Sequence, residues 1–416
     1  MTRPVIKPAG DSNMTTGSDQ RRRYSGPAFF GNGFRPFFLG GGLYAFIAIS
    51  GWILYLTGLA QLPDAVTDNP AFNPIAWHAH EMIFGYVGAV LGGFILTAVP
   101  NWTGRLPICG LPLASLAGLW LAGRLGVALC QLGIISPVAG ACLDLLYMTV
   151  LIIAVALEII AGRNWRNLPV IGILTAFDLA NLISYLPLWS SIDSSLGQQL
   201  ALATLAAAIT LIGGRIVPSF TRNWLMKNGG EPFPAPFGMI DRLAILTTVT
   251  GMSIWAFLPA HMLTGVLLAL AGVFQALRLS RWQGLRTFGE PLLIILHIGY
   301  GWLTVALFAL SLAIFAPTVL NFSSALHALT AGAIGVMTTA VMTRAILGHT
   351  GRALTADKGT IAIYILVNLG AILRVAAVHL PFNYNNLALS GLLWGAGLMI
   401  FSVKYGRYLL TPKAKT

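Results

Sequence analysis

The chain has 416 residues, of which 56% are hydrophobic and 9% charged; roughly a quarter of an average soluble protein is charged. So little charge cannot cover a water-soluble globule of this size, and a soluble enzyme is excluded. The apolar content excludes disorder, and three cysteines exclude a disulfide scaffold. Cys109, Cys130 and Cys142 have no metal-like spacing and read as small apolar residues. The fold class is all-α: a polytopic membrane protein built as a bundle of about twelve transmembrane helices.

In chain order, residues 1–36 form a polar cytoplasmic tail rich in Gly, Ser and Arg. Arg21, Arg22 and Arg23 precede a full-length span without an obvious cleavage site, so a retained first helix is expected. A hydrocarbon core about 30 Å thick needs about 20 apolar residues per helix. Such runs lie near 37–60, 76–99, 111–133, 137–162, 168–189, 197–217, 239–259, 261–280, 291–315, 323–346, 359–380 and 386–409. They form one domain, 37–410, in halves 37–217 and 239–410 joined by the proline-rich loop 218–238, with a short tail at 411–416. The six-plus-six division is also the outline of a two-half transporter.

The 25 Lys and Arg residues orient the bundle. All but Arg124 and Arg374 fall on one side: the two tails, the loops after the second, fourth, eighth and tenth spans, and the junction of the sixth and seventh. Loops 60–75, 134–136, 190–196, 316–322 and 381–385 have none. The positive-inside rule then predicts both termini in the cytoplasm of a multi-pass inner-membrane protein. The basic balance is a topology signal, so no nucleic-acid partner is expected; the partners are membrane lipids.

Seven histidines carry the chemical information, because ionisable groups within a bilayer are costly and mark function. His78 and His80 occupy the outer first turn of the second span, in Trp77-His78-Ala79-His80-Glu81-Met82, and His327 lies one turn into the tenth from the same side. His297 lies two turns into the ninth from the inner side, and His349 just past the inner end of the tenth. His261 and His379 sit at outer span ends and read as loop-edge residues.

His327 and His349 are separated by roughly 33 Å of helix and cannot share a cofactor. His80 and His327 lie at matching outer depth on different helices, the arrangement that holds a porphyrin iron from both sides. His78 and His80 differ by about 200° around the helix and cannot both face one site. The pair His78 with His327 is therefore the alternative, and the residues alone point to an outer metal or haem site.

The run His78-Ala79-His80-Glu81-Met82-Ile83-Phe84-Gly85, continuing through Phe94 to Pro100-Asn101-Trp102-Thr103-Gly104, resembles the NnrS family of bacterial membrane proteins. So do Gly33-Phe34-Arg35-Pro36-Phe37-Phe38, Gly213-Gly214-Arg215 through Pro218 to Asn223, His297 through Tyr300 to Trp302, and His327 through Gly335 to Arg352. The resemblance implies a twelve-helix protein containing haem b and copper, linked to nitric oxide tolerance and denitrification. It implies nitric oxide as a ligand, an electron donor that the sequence does not name, and a nitric-oxide-linked oxidoreductase as the form any enzyme activity would take. The family also looks like a distant relative of haem–copper oxidases, whose low-spin haem takes one histidine from the second helix and one from the tenth. Spans six and seven have no histidine, so the oxidase-type copper centre is not expected.

Imidazole and thioether are natural copper ligands. His297 with His349, joined by Met337 or Met342, forms one candidate inner copper site; His78 at the outer surface is a second. Arg374, near the inferred haem depth, is placed to pair with a haem propionate or, equally, with a protein carboxylate or carbonyl. Arg124 and Asp178 are expected to neutralise each other in mid-span. The other functional class open to the sequence is a secondary transporter using intramembrane histidines to move protons or metal.

Overall fold

The computed structural model describes residues 24–60, 73–380 and 384–414. The tail cations Arg3, Lys7 and Arg21–Arg23, together with Lys415, lie outside them, as does most of the first cation-free loop. The described residues form twelve long helices and no strand: α1 (Phe34–Leu56), α2 (Pro74–Thr103), α3 (Leu111–Gln131), α4 (Pro137–Ala161), α5 (Leu168–Ser184), α6 (Ser195–Asn228), α7 (Met239–Phe257), α8 (Met262–Ser280), α9 (Pro291–Phe315), α10 (Phe322–His349), α11 (Lys358–Ala376) and α12 (Tyr384–Leu410). Each matches one span expected from hydropathy. Eleven are long and apolar enough to cross a membrane. The exception is α7, which opens on Asp241 and Arg242 and is interrupted by Thr247, Thr248, Thr250 and Ser253.

One boundary differs from expectation. Residue Pro218 does not end the sixth helix, which runs on to Asn228 and shortens the connection between the halves. A proline inside a helix removes one backbone hydrogen bond and commonly kinks or ends it. In a bilayer-spanning helix, neighbouring groups can take up the freed backbone. Pro100 sits within α2 in the same way.

The helices pack mainly with their chain neighbours, and α1 closes the bundle by lying along both α2 and α12. Arg35 at the start of α1 donates to the carbonyls of Leu409 and Thr411, each at 2.7 Å. The two ends of the described chain therefore meet on one face, as an even number of crossings requires. The most enclosed helices are α2, α9 and α10.

Two of these, α2 and α10, share an unusual backbone with α6. Three π-turns interrupt the bundle, at Glu81–Val87 in α2, Ile209–Gly213 in α6 and Ala328–Ile334 in α10. A π-turn shifts the hydrogen-bond register and loosens carbonyls from the ladder. In each case a neighbouring side chain supplies a donor: Trp120 Nε1 to Gly85 O at 3.0 Å, Arg278 Nη1 to Thr210 O at 2.8 Å, and Trp394 Nε1 to Ala331 O at 3.3 Å. The bulges are thus fastened from outside their own helices.

Arg278 anchors a buried polar network near the second π-turn. It donates to Asp241 Oδ1 at 2.9 Å and to the Tyr300 hydroxyl at 2.9 Å, and Tyr300 donates in turn to Gln275 Oε1 at 2.7 Å. Such a charge is tolerated within a bundle only when it is paired and hydrogen-bonded in full.

Candidate functional site

The N-terminal ends of α2 and α10 are built alike. Asn73 accepts from Ala76 N at 2.8 Å and Asn321 from Ser324 N at 2.8 Å, so each helix begins on an asparagine cap. His78 follows five residues after the first cap and His327 six after the second, which sets them at one depth.

The structure brings these two together. Their ring centroids are 6.4 Å apart and their planes differ by 9°. A metal–imidazole bond of about 2 Å on each side, plus roughly 1.2 Å from nitrogen to ring centre, puts two such centroids about 6 Å apart. The pair therefore has the spacing of two imidazoles facing one metal.

The nitrogens fit the same reading. His327 Nδ1 lies 2.7 Å from the carbonyl of Ser323. A carbonyl only accepts, so Nδ1 carries the proton and Nε2 the lone pair, which is the usual way a ligating imidazole is oriented. His78 Nδ1 is buried without a hydrogen-bond partner. The face of the His78 ring stacks on Trp52 of α1 at 4.6 Å and 16°, which holds its plane. Arg374 of α11 donates to Ser323 Oγ at 2.7 Å, placing a guanidinium on the residue that orients His327.

His80 stands elsewhere. It is buried, with Nδ1 at 2.8 Å from Glu81 Oε1 and Nε2 at 3.0 Å from Asn181 Oδ1 and 3.2 Å from Asp144 Oδ2. Both ring nitrogens already face protein oxygens. The expected turn of about 200° between His78 and His80 is what separates them: one faces α1 and α10, the other α4 and α5.

Around His80 lies a closed ionic cluster. Arg124 of α3 bridges Glu81, at 2.5 Å, and Asp144. Tyr44 donates to Glu81, Asn181 Nδ2 donates to Asp144 at 2.8 Å, and Tyr185 donates to Asp144 at 3.1 Å. The expected pairing of Arg124 with Asp178 is therefore corrected. Asp178 instead accepts from Thr149 Oγ1 at 2.8 Å, because its turn of α5 faces α4 away from Arg124. Asp144 is the residue the sequence reading missed, and its signal was present: a carboxylate two turns into the apolar run of α4.

His297 and His349 keep separate company. His297 Nε2 lies 2.8 Å from Thr221 Oγ1, which itself donates to Val217 O, so Nε2 is the donor. The remaining nitrogen, Nδ1, packs against Gly284, where an added methyl would come within 2.6 Å. His349 instead lies beside Phe34 of α1, with ring centroids 5.6 Å apart. No contact joins His297 to His349 among the described residues, and no group of three or more His, Cys, Asp or Glu there could hold a metal ion. His261 caps α8 by accepting from Leu263 N at 3.2 Å, and His379 ends the short turn after α11.

A bundle of this kind, with paired imidazoles from its second and tenth helices at one membrane face, defines a polytopic all-α membrane protein with a candidate metal centre. The NnrS protein family matches residues 28–413, nearly the whole chain, and the chain belongs to that family. It is thus a nitric-oxide-related membrane protein. No curated protein matches it.

Proposed function

We propose that the chain binds haem b at its outer face between α2 and α10, with His78 and His327 as the axial pair, and carries electrons or handles nitric oxide there. The observation that carries this reading is the parallel placement of the two rings at 6.4 Å, with a buried, unpartnered His78 Nδ1. A bis-imidazole haem supplies one-electron chemistry. The protein's part is to hold and tune it. Ser323 sets the His327 tautomer, Trp52 fixes the His78 plane, and Arg374 offers a guanidinium for a propionate. In this reading His80 is a positioning residue, which with Glu81, Arg124 and Asp144 braces the π-turn that begins three residues beyond His78.

Copper, which the family resemblance implies, has two histidines as candidate inner ligands, His297 and His349. Their separate packing favours the outer pair as the main metal-binding position. The orientation with both termini in the cytoplasm, and placement in the inner membrane, remain part of the proposal and rest on the one-sided cations.

The test is an absorption spectrum of the purified full chain and three variants. The reading expects a Soret band in the parent, loss of the six-coordinate spectrum in His78→Ala and in His327→Ala, and retention in His80→Ala. Loss in His80→Ala with retention in His78→Ala would move the ligand to His80. The absence of haem from the parent at any occupancy would reject the reading.

A further inference from the structure

A cavity lies between α2, α6 and α10, deeper in the bundle than the histidine pair. Its volume is about 100 Å³. Val87 and Leu91 line it from α2, Ala208 and Ile212 from α6, and Ile334 and Met337 from α10. The π-turns of these three helices all end on it: Val87 closes the first, Ile212 lies in the second and Ile334 closes the third. Three separate bulges, each fastened by a side chain from another helix, converge on one space. π-turns cost helix stability and recur at functional sites, so a cavity framed by three of them is a built feature rather than a packing accident.

Its chemistry is one-sided. The only hydroxyl in the lining is that of Thr338. That hydroxyl lies 2.7 Å from Ile334 O and 3.0 Å from Gly335 O, and it pairs with the Tyr86 hydroxyl at 2.8 Å. No polar group is left to hold water, an ion or a polar ligand. A dry cavity of about 150 Å³ lined by Leu, Ile and Phe takes benzene or xenon. This space is somewhat smaller, equally apolar and open on one side. An acyl chain of the bilayer is the competing occupant.

We propose that the cavity framed by the three π-turns is a binding site for a small apolar gas molecule of about diatomic size, drawn from the surrounding hydrocarbon. The site stands apart from the histidine pair and does not depend on haem. The polarisable thioether of Met337 and the aliphatic lining attract such a solute by dispersion alone, so binding is weak and fast. In a nitric-oxide-related protein, this arrangement would concentrate an apolar gas within the bundle.

Xenon is the probe. The full chain in nanodiscs is titrated with xenon and followed by ¹²⁹Xe NMR, and crystals are pressurised with the same gas. The expected result is saturable binding and a xenon peak between Val87, Ala208 and Met337. Ala208→Trp is expected to abolish both while leaving helicity and the melting transition in place. Ile212→Phe serves as a second filling variant should the first fail to fold. The proposal is overturned if xenon is absent from the cavity, if the signal survives both filling variants, or if the space holds a lipid or detergent chain. None of these outcomes bears on the Soret test, so the two readings fail separately.

Discussion

Arg124 of α3 donates to Glu81 of α2 at 2.5 Å, and both side chains are almost fully withdrawn from solvent. The same guanidinium reaches Asp144 of α4. One cation thus ties three helices together and is shared by two carboxylates in a low-dielectric interior.

Removing that cation should be costly. Breaking a buried ion pair from one side costs about 3–5 kcal/mol, because it strands the partner charge. Arg124→Met is expected to lower the melting temperature sharply in detergent. The double variant Arg124→Met with Glu81→Gln should recover part of the loss, since fewer charges are left stranded. A smaller effect for Arg124→Met than for a surface Arg→Met control would show that the cluster does not hold the helices.

Arg374 should act on the haem electronically if His78 and His327 hold it. Its guanidinium sits on Ser323, which in turn orients His327. Taking away a nearby positive charge favours the oxidised iron, so Arg374→Gln should lower the reduction potential by roughly 50–100 mV. Redox titration at the Soret maximum reads this directly. A purely structural role would leave the potential unchanged at full haem occupancy.

Asp357 supplies a pH signature outside the spanning segments. It accepts from Thr360 N at 2.9 Å as the cap of α11, and it pairs with Lys404 of α12. The Lys404 hydrogen bond is the main cause holding its carboxyl down at about 2, with help from Thr360. A depressed folded value means that the stabilisation is complete above the ordinary aspartate range near 4 and fades as pH falls toward 2. Asp357→Asn should flatten the melting temperature over that window. Asp357→Ala should also lose the cap, at about 0.5–2 kcal/mol. An unchanged acid limb in Asp357→Asn would rule out this pair as its source.

Orientation can be tested by fusion. A reporter active only in the cytoplasm, fused after Thr416, should be active, because the cation-rich side carries both ends of the described chain. A reporter that functions only outside the cytoplasm and is active at the same position would reverse the assignment.

Hydropathy and charge were enough to place twelve helices, because a span must satisfy its own backbone and carry about 20 apolar residues, whatever its neighbours do. They also located the outer histidines at matching depth, since depth along a helix follows from residue count. The sequence did not reveal the three π-turns. These change register by one residue and depend on donors from other helices, Trp120, Arg278 and Trp394, that no local pattern connects to them.

Which of His78 and His80 lies beside His327 was set by the tertiary structure. Two residues apart on one helix, they have the same depth within a turn and the same chemistry, so residue count cannot rank them. Packing separates them. The rotation of α2 presents His80 to Asp144 and Asn181, where both nitrogens find oxygens, and leaves His78 between Trp52 and His327. The partner of Arg124 was undecidable from sequence for the same reason. Asp144 and Asp178 both lie within apolar spans, and only the packing of α3 on α4 brings Asp144 to it. Spacing along a helix sets depth, whereas azimuth, and with it the identity of each side chain's partner, is set only when the helices pack.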